Sequence, residues 1–200
     1  MVRGCWFYLY IKIDLYSRKI IGYEVHETES GEQAAALIQR SVMRGGCRRH
    51  PLVLHADNSA AMKSQTLQMK LHELNITPSH SRPRVSNDNA YAESLFRTFK
   101  YVPQWPSSGF STLEDTCHWV SKFTHWYDEE YRHSGIRYVT PTERHRGEDD
   151  ELLKRRYELY RQTHKAHPER WSERTRNWQP EGPVTLNLER EKLAAQINRG

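Results

Sequence analysis

Between residues 51 and 79 two short apolar runs flank a segment of helical period, and that alternation leaves few architectures open. Residues 51–56 have the length and composition of a buried strand, residues 62–74 carry Leu67, Leu71 and Leu74 at helix spacing, and residues 76–79 form a second short strand. This is an α/β unit. Upstream, residues 5–13 and 18–26 are rich in aromatic and β-branched residues, and the turn formers Asp14-Leu15-Tyr16-Ser17 separate them, which predicts an antiparallel hairpin.

Helical signals fill the rest of the first three-quarters of the chain. Ser30-Gly31-Glu32 opens a crossover helix with Ala34, Leu37, Ile38 and Val42 at helical spacing, and Gly45-Gly46 stops it. Residues 81–87 (SRPRVSN) lack periodicity and read as a loop. A helix follows from about Asp88, its expected N-cap, to Tyr101. Ala92, Leu95, Phe96 and Phe99 form its apolar stripe, while Glu93, Arg97 and Lys100 share another face. Ser111 and Glu114 have the spacing of a capping box for a long helix through Val120, Phe123, Tyr127 and Tyr131.

The composition excludes several classes. No apolar stretch approaches the ~20 residues that cross a bilayer, so the expectation is no membrane partner. Cys5, Cys47 and Cys117 are odd in number and far apart, which points to a reducing cytoplasm. His118, His125 and His133 do not share one helical face and have no cysteine at zinc-ligand spacing, so solvated or phosphate-facing histidines are favoured over structural zinc. The net charge of +5 and pI near 9.1 suit a polyanionic partner. Beyond Gly147 the sequence turns to charge without a sustained apolar face, so we expect a domain at residues 1–147 and a docked or loose extension at 148–200, with a short strand around residues 180–188.

Two acids carry the chemistry. Asp57 ends a strand-like run in His55-Ala56-Asp57-Asn58-Ser59, and Glu93 sits on a helix in Asn87-Asp88-Asn89-Ala90-Tyr91-Ala92-Glu93. Alone, Asp57 reads as a turn aspartate and Glu93 as half of an exposed ion pair with Arg97. Together they match what a phosphodiester-cleaving metal site needs: carboxylate oxygens held by rigid elements, since Mg²⁺ takes hard oxygen ligands and keeps several waters.

The two acidic motifs, together with Ile13-Asp14-Leu15-Tyr16-Ser17-Arg18-Lys19-Ile20-Ile21-Gly22 and Tyr131-Arg132-His133-Ser134-Gly135-Ile136-Arg137-Tyr138-Val139-Thr140-Pro141, resemble the catalytic core of the DDE transposases and retroviral integrases. The likeness is to bacterial insertion-sequence enzymes made by frameshifting between two reading frames, and it covers roughly residues 5–146. It implies an RNase H-like fold, a mixed sheet flanked by helices, with Mg²⁺ or Mn²⁺ as cofactor. It implies cleavage and strand transfer of DNA ends.

Within that resemblance Asp57 and Glu93 match the second and third metal ligands and are the expected catalytic and metal residues. The first ligand belongs to a preceding Trp-x-x-Asp-Ile-Thr strand that this sequence does not contain, so the expectation is an N-terminally truncated core lacking its first, central strand and impaired as an enzyme. Asp14 ends the following strand, and a register shift to recruit it would turn that strand's buried face outward. Lys100 matches a lysine that approaches DNA near the scissile phosphate. Arg82 and Arg84 in the loop, and Arg97 beside Lys100, are expected phosphate contacts. Arg132 and His133, with Arg137, form a second basic cluster that either meets DNA or pairs locally, with Arg132 on Glu129 or Asp128. Trp119 and Trp126 are assigned to packing. The expected partners are element ends, target DNA and further copies of the chain on DNA, in a bacterial cytoplasm at the nucleoid; the alternative is a non-catalytic DNA-binding remnant that interferes with a full-length transposase.

Overall fold

The computed structural model describes residues 6–45, 51–82, 89–102, 104–171, 176–184 and 186. They fall into two compact units, the first drawn from residues 6–13 and 21–121, the second from residues 14–20 and 122–184. The boundary expected at residue 147 lies inside the second unit.

In the first unit, β1 (Tyr8–Ile13) pairs with β2 (Ile20–His26). Their connection is far shorter than the dozen or more residues a parallel crossover needs, so the pair is a hairpin. Gly22 in β2 faces α1 (Gly31–Gly45) closely, since a Cβ there would lie 2.5 Å from Ser41 Oγ and 3.1 Å from Leu37 Cδ1. A side chain there would require the Ser41 hydroxyl and the Leu37 methyl to shift.

The α/β unit forms as its periodicity demands: β3 (Leu52–Ala56), α2 (Gln65–Glu73) and β4 (Ile76–His80), with β3 and β4 parallel and Leu52 opposite Ile76 through Ala56 opposite His80. Helix α2 starts later than its apolar spacing suggests. Ser64 takes an extended conformation and its Oγ accepts the Leu67 N–H at 3.3 Å, so the residues before it form a turn instead of helix. Tyr10, the buried face of α1, Leu67, Leu71 and Ile76 make one core, with Leu52, Leu54, Met62 and Leu74 at its margin. The strands thus form two separate pairs, β1 with β2 and β3 with β4.

Helix α3 (Ala90–Tyr101) presents Leu95 and Phe99 to the interior. Its N-cap position is Asn89, which makes no side-chain capping bond, and Asp88, the expected cap, lies outside the described residues. Helix α4 (Leu113–Glu129) corrects the expected capping box by one residue: Thr112 Oγ1, not Ser111, accepts an N–H, that of Asp115, at 3.0 Å. Starting there points Thr116, Val120, Phe123 and Tyr127 inward, a spacing of four, three and four that holds one helical stripe. Phe96, assigned to the apolar stripe of α3, is instead exposed.

The second unit closes around α5 (Pro141–His145) and α6 (Asp149–Ala166). Thr140 and Glu143 form a reciprocal capping box that starts α5. The charged segment expected as a docked or loose extension is an eighteen-residue helix, α6, with Asp149, Asp150 and Glu151 in its first turn and His164 and Lys165 in its last. Those charges complement the helix dipole, and ion pairs Glu151–Arg155 and Glu158–Arg161 line its exposed side. The buried Leu153, with Leu152 and Tyr160 beside it, docks the helix with Ile136, Val139 and Trp178. Residues 180–184 form no strand, and residues 185, 187 and 188 lie outside the described set.

Arg137 and Tyr138 are successive non-glycine residues at φ +61°, a conformation L-residues seldom take twice running. Arg156 of α6 holds the corner, donating from Nη1 to both their carbonyls at 3.1 and 2.8 Å while its guanidinium lies 5.6 Å from the Trp178 ring centroid.

Candidate active site

Asp57 follows β3 directly, at the carboxyl end of the parallel pair. Its Oδ1 accepts the Ser59 N–H at 3.0 Å, so the turn reading of this aspartate is correct locally. The side chain is nevertheless exposed. A polar frame fixes the strand ends beneath it: Asn58 Nδ2 donates to the Ser81 carbonyl at 2.7 Å, the Ser81 N–H to the Ala56 carbonyl at 3.1 Å, and His80 Nδ1 to the Asp57 carbonyl at 3.2 Å. His55 completes it, with Nδ1 3.0 Å from Ser79 Oγ and Nε2 3.3 Å from Ser81 Oγ. These positioning groups were missed in the sequence because their partners sit across the β3–β4 pair, and strand register cannot be read from composition. The one available signal was the Ser79-His80-Ser81 run at the end of β4.

Glu93 stands exposed in the first turn of α3. Among the described residues it has no cationic partner; the guanidinium of Arg97, its expected pair, lies over the Tyr101 ring at 6.0 Å from the centroid. Arg97 and Lys100 are exposed on the same helix. Arg82 is exposed after β4, and Arg84 lies outside the described residues. The donor set offered by Asp57 and Glu93, two solvent-facing carboxylates carried by a strand end and a helix, fits a hard oxygen-seeking divalent cation. Among the described residues no group of three or more His, Cys, Asp or Glu could hold a metal ion.

The second basic cluster has local partners, though not the ones expected. Arg132 Nη1 pairs with Glu143 Oε2 at 2.9 Å. Asp128 and Glu129 instead receive Lys19, whose Nζ lies 3.3 and 3.6 Å from their oxygens. Asp128 also accepts the Ile20 N–H at 2.9 Å; burial raises its carboxyl above the usual range, against the pull of that bond and of Lys19. His133 turns inward. Its Nδ1 accepts the Gly135 N–H at 3.0 Å and its ring stands edge-on to Tyr127 and Tyr131, with burial and the Arg18 charge lowering its pKa. Asp14 works as a turn cap, accepting the Ser17 N–H at 3.0 Å and its hydroxyl, with His145 Nδ1 3.5 Å away. Trp119 packs with Phe99, Trp105 and Phe110, and Trp126 with Phe123 and Tyr131.

Two family models, each described as an integrase core domain, match residues 1–86 and 74–141 in succession, so that Asp57 falls in the first and Glu93 in the second. This chain belongs to the DDE transposase and integrase family. It is 28% identical over 138 residues to the transposase of insertion sequence IS904 from Lactococcus lactis, covering 67% of this chain and 53% of that protein. It is 31% identical over 97 residues to the InsF transposase of insertion sequence IS3A from Escherichia coli, covering 48% of this chain and 33% of that one. The chain therefore spans about half of one curated relative and a third of the other. Among solved structures, the catalytic core domain of BIV integrase superposes with a TM-score of 0.50 at 19% identity, over 68% of this chain and 82% of that one. That likeness supports the RNase H-like fold of the family member described here. Among the described residues no helix is long and apolar enough to cross a membrane.

Proposed function

We propose that this chain is the catalytic core of a bacterial insertion-sequence transposase, which cuts DNA at element ends and joins the freed 3′ ends to target DNA. The observation that carries the reading is the exposed Asp57 carboxylate at the carboxyl end of β3, held over a hydrogen-bonded frame inside a motif of the family. Asp57 and Glu93 are the residues that would hold the divalent cation, Mg²⁺ or Mn²⁺. When bound, such an ion acts as a Lewis acid toward the attacking and leaving phosphodiester oxygens.

The chain's own contribution is positioning. The frame of Asn58, His80 and Ser81 keeps Asp57 from swinging with its loop, and α3 presents Glu93 from a rigid element. Lys100 and Arg97 neutralise phosphate charge beside Glu93, and Arg82 and its neighbour Arg84 hold the backbone of the same DNA. Arg132, anchored on Glu143, keeps further donors for a phosphate farther along. His133 stabilises the Arg132 segment and does not itself meet DNA. The reading places the protein on bacterial chromosomal DNA at the nucleoid, acting as an oligomer that brings element ends together.

The test is an element whose transposase carries Glu93→Gln. Excision and joining are expected to be abolished while binding of the purified protein to end DNA persists. Wild-type joining by that variant rejects the assignment of Glu93.

A further inference from the structure

The exposed face of α3 carries more than charge. At 3.6 residues per turn, Glu93, Arg97 and Lys100 fall along the middle of the solvent side, Phe96 flanks them on one side and Tyr101 on the other, opposite the buried Leu95 and Phe99. Phe96 is 38% exposed and Tyr101 79% exposed. The Phe96 ring leans on Phe99, centroid to centroid 6.2 Å, and keeps an exposed edge, whereas the Tyr101 ring stands almost wholly in solvent and takes no part in packing. Among the described residues neither Arg97 nor Lys100 is in an ion pair.

We propose that this face is a clamp for an unpaired DNA strand, with Phe96 and Tyr101 stacking on bases while Arg97 and Lys100 hold the phosphates between them. The inference rests on the transposase reading and goes beyond it, because it names a strand whose bases are exposed, not duplex DNA, as the ligand of α3. The physical reason is the pairing of chemistries. Cations alone serve a duplex, whose bases are stacked on one another, whereas an aromatic ring gains only where a base face is free. Arg97 covers one side of the Tyr101 ring and leaves so exposed a ring a second side for a base.

The full chain is titrated by fluorescence anisotropy with an oligothymidine strand, a blunt duplex of the same length and a duplex carrying a single-stranded tail. Phe96→Ala combined with Tyr101→Ala is expected to weaken the single strand and the tailed duplex by about tenfold or more, and the blunt duplex by less than about twofold. Tyr101→Trp, which keeps a stacking surface, should retain wild-type affinity for the single strand. Phe96→Ala also loses the contact with Phe99, so Tyr101→Ala alone, at the more exposed ring, serves as the control: it should keep the wild-type melting temperature and still weaken the single strand more than the blunt duplex. Equal losses on single strand and blunt duplex, or no loss on the single strand, overturn the clamp and leave the transposase reading standing. Failure of the wild-type chain to bind any of the three DNAs overturns both.

Discussion

Arg144 holds Tyr16 twice: its Nε donates to the Tyr16 carbonyl at 2.8 Å, and its guanidinium carbon lies 4.2 Å from the centroid of the Tyr16 ring. The same side chain donates from Nη2 to the Glu181 carbonyl at 2.9 Å and faces Asp149 at 3.6 Å, all with 1% of its surface exposed. A flat, forked cation can do this; a lysine ammonium cannot.

Arg144→Lys is therefore expected to destabilise the protein by about 2–4 kcal/mol, because an ammonium cannot make both backbone bonds and reach Asp149 at once. Burial already raises the Asp149 carboxyl, and Arg144 is what opposes that shift. Urea denaturation of the two proteins checks the value. A loss below about 0.5 kcal/mol shows that the buried guanidinium is dispensable.

Asp128 ties the last turn of α4 to the first residue of β2 through the Ile20 N–H. Asp128→Ala leaves that N–H without its acceptor, while Lys19 keeps Glu129 and Thr142, and should cost about 1–3 kcal/mol. Asp128→Asn keeps an acceptor for the N–H and should cost less. If the two substitutions prove equal in chemical denaturation, the charge on Lys19 matters and the backbone bond does not.

His133 makes stability depend on pH. Burial and then the Arg18 charge lower its pKa from 6.5, so near that pH the unfolded chain binds a proton that the folded chain resists. Stability should fall as pH drops through about 6.5 and level off only below the folded pKa. Melting curves between pH 7.5 and 5.5, about one unit either side of that value, should show the slope in the wild type. In His133→Asn, whose amide oxygen can still accept the Gly135 N–H, the slope should be reduced; an unchanged slope assigns it to another group.

Lys100→Ala should weaken DNA binding for all sequences alike and reduce the salt dependence of the affinity by about one counterion. Affinities at several salt concentrations give that slope directly. A lysine that never meets phosphate would leave it unchanged.

The strand–helix–strand order, the helix bearing Glu93 and the carboxylate at the end of β3 were legible from local periodicity and motif order, because apolar spacing alone determines which residues can share a buried face. Cap positions were legible only to within a residue: Thr112 replaces Ser111 since the register that buries Thr116, Val120 and Phe123 outweighs a box of matching letters. Helix α6 was underestimated for a related reason, as Leu153 docks with Trp178, a residue too distant in sequence for any window to join them.

The sequence by itself determined the family, since its motifs are contiguous, and singled out Asp57 and Glu93 as the acids to propose. Tertiary structure alone decided that Arg132 pairs with Glu143 instead of Asp128 or Glu129, that Arg144 is buried against Tyr16, and that Phe96 keeps an exposed edge while Leu95 and Phe99 are buried. Partner choice among charges and exposure of a ring depend on which surfaces the folded chain brings within a few ångströms, and linear spacing does not contain that information.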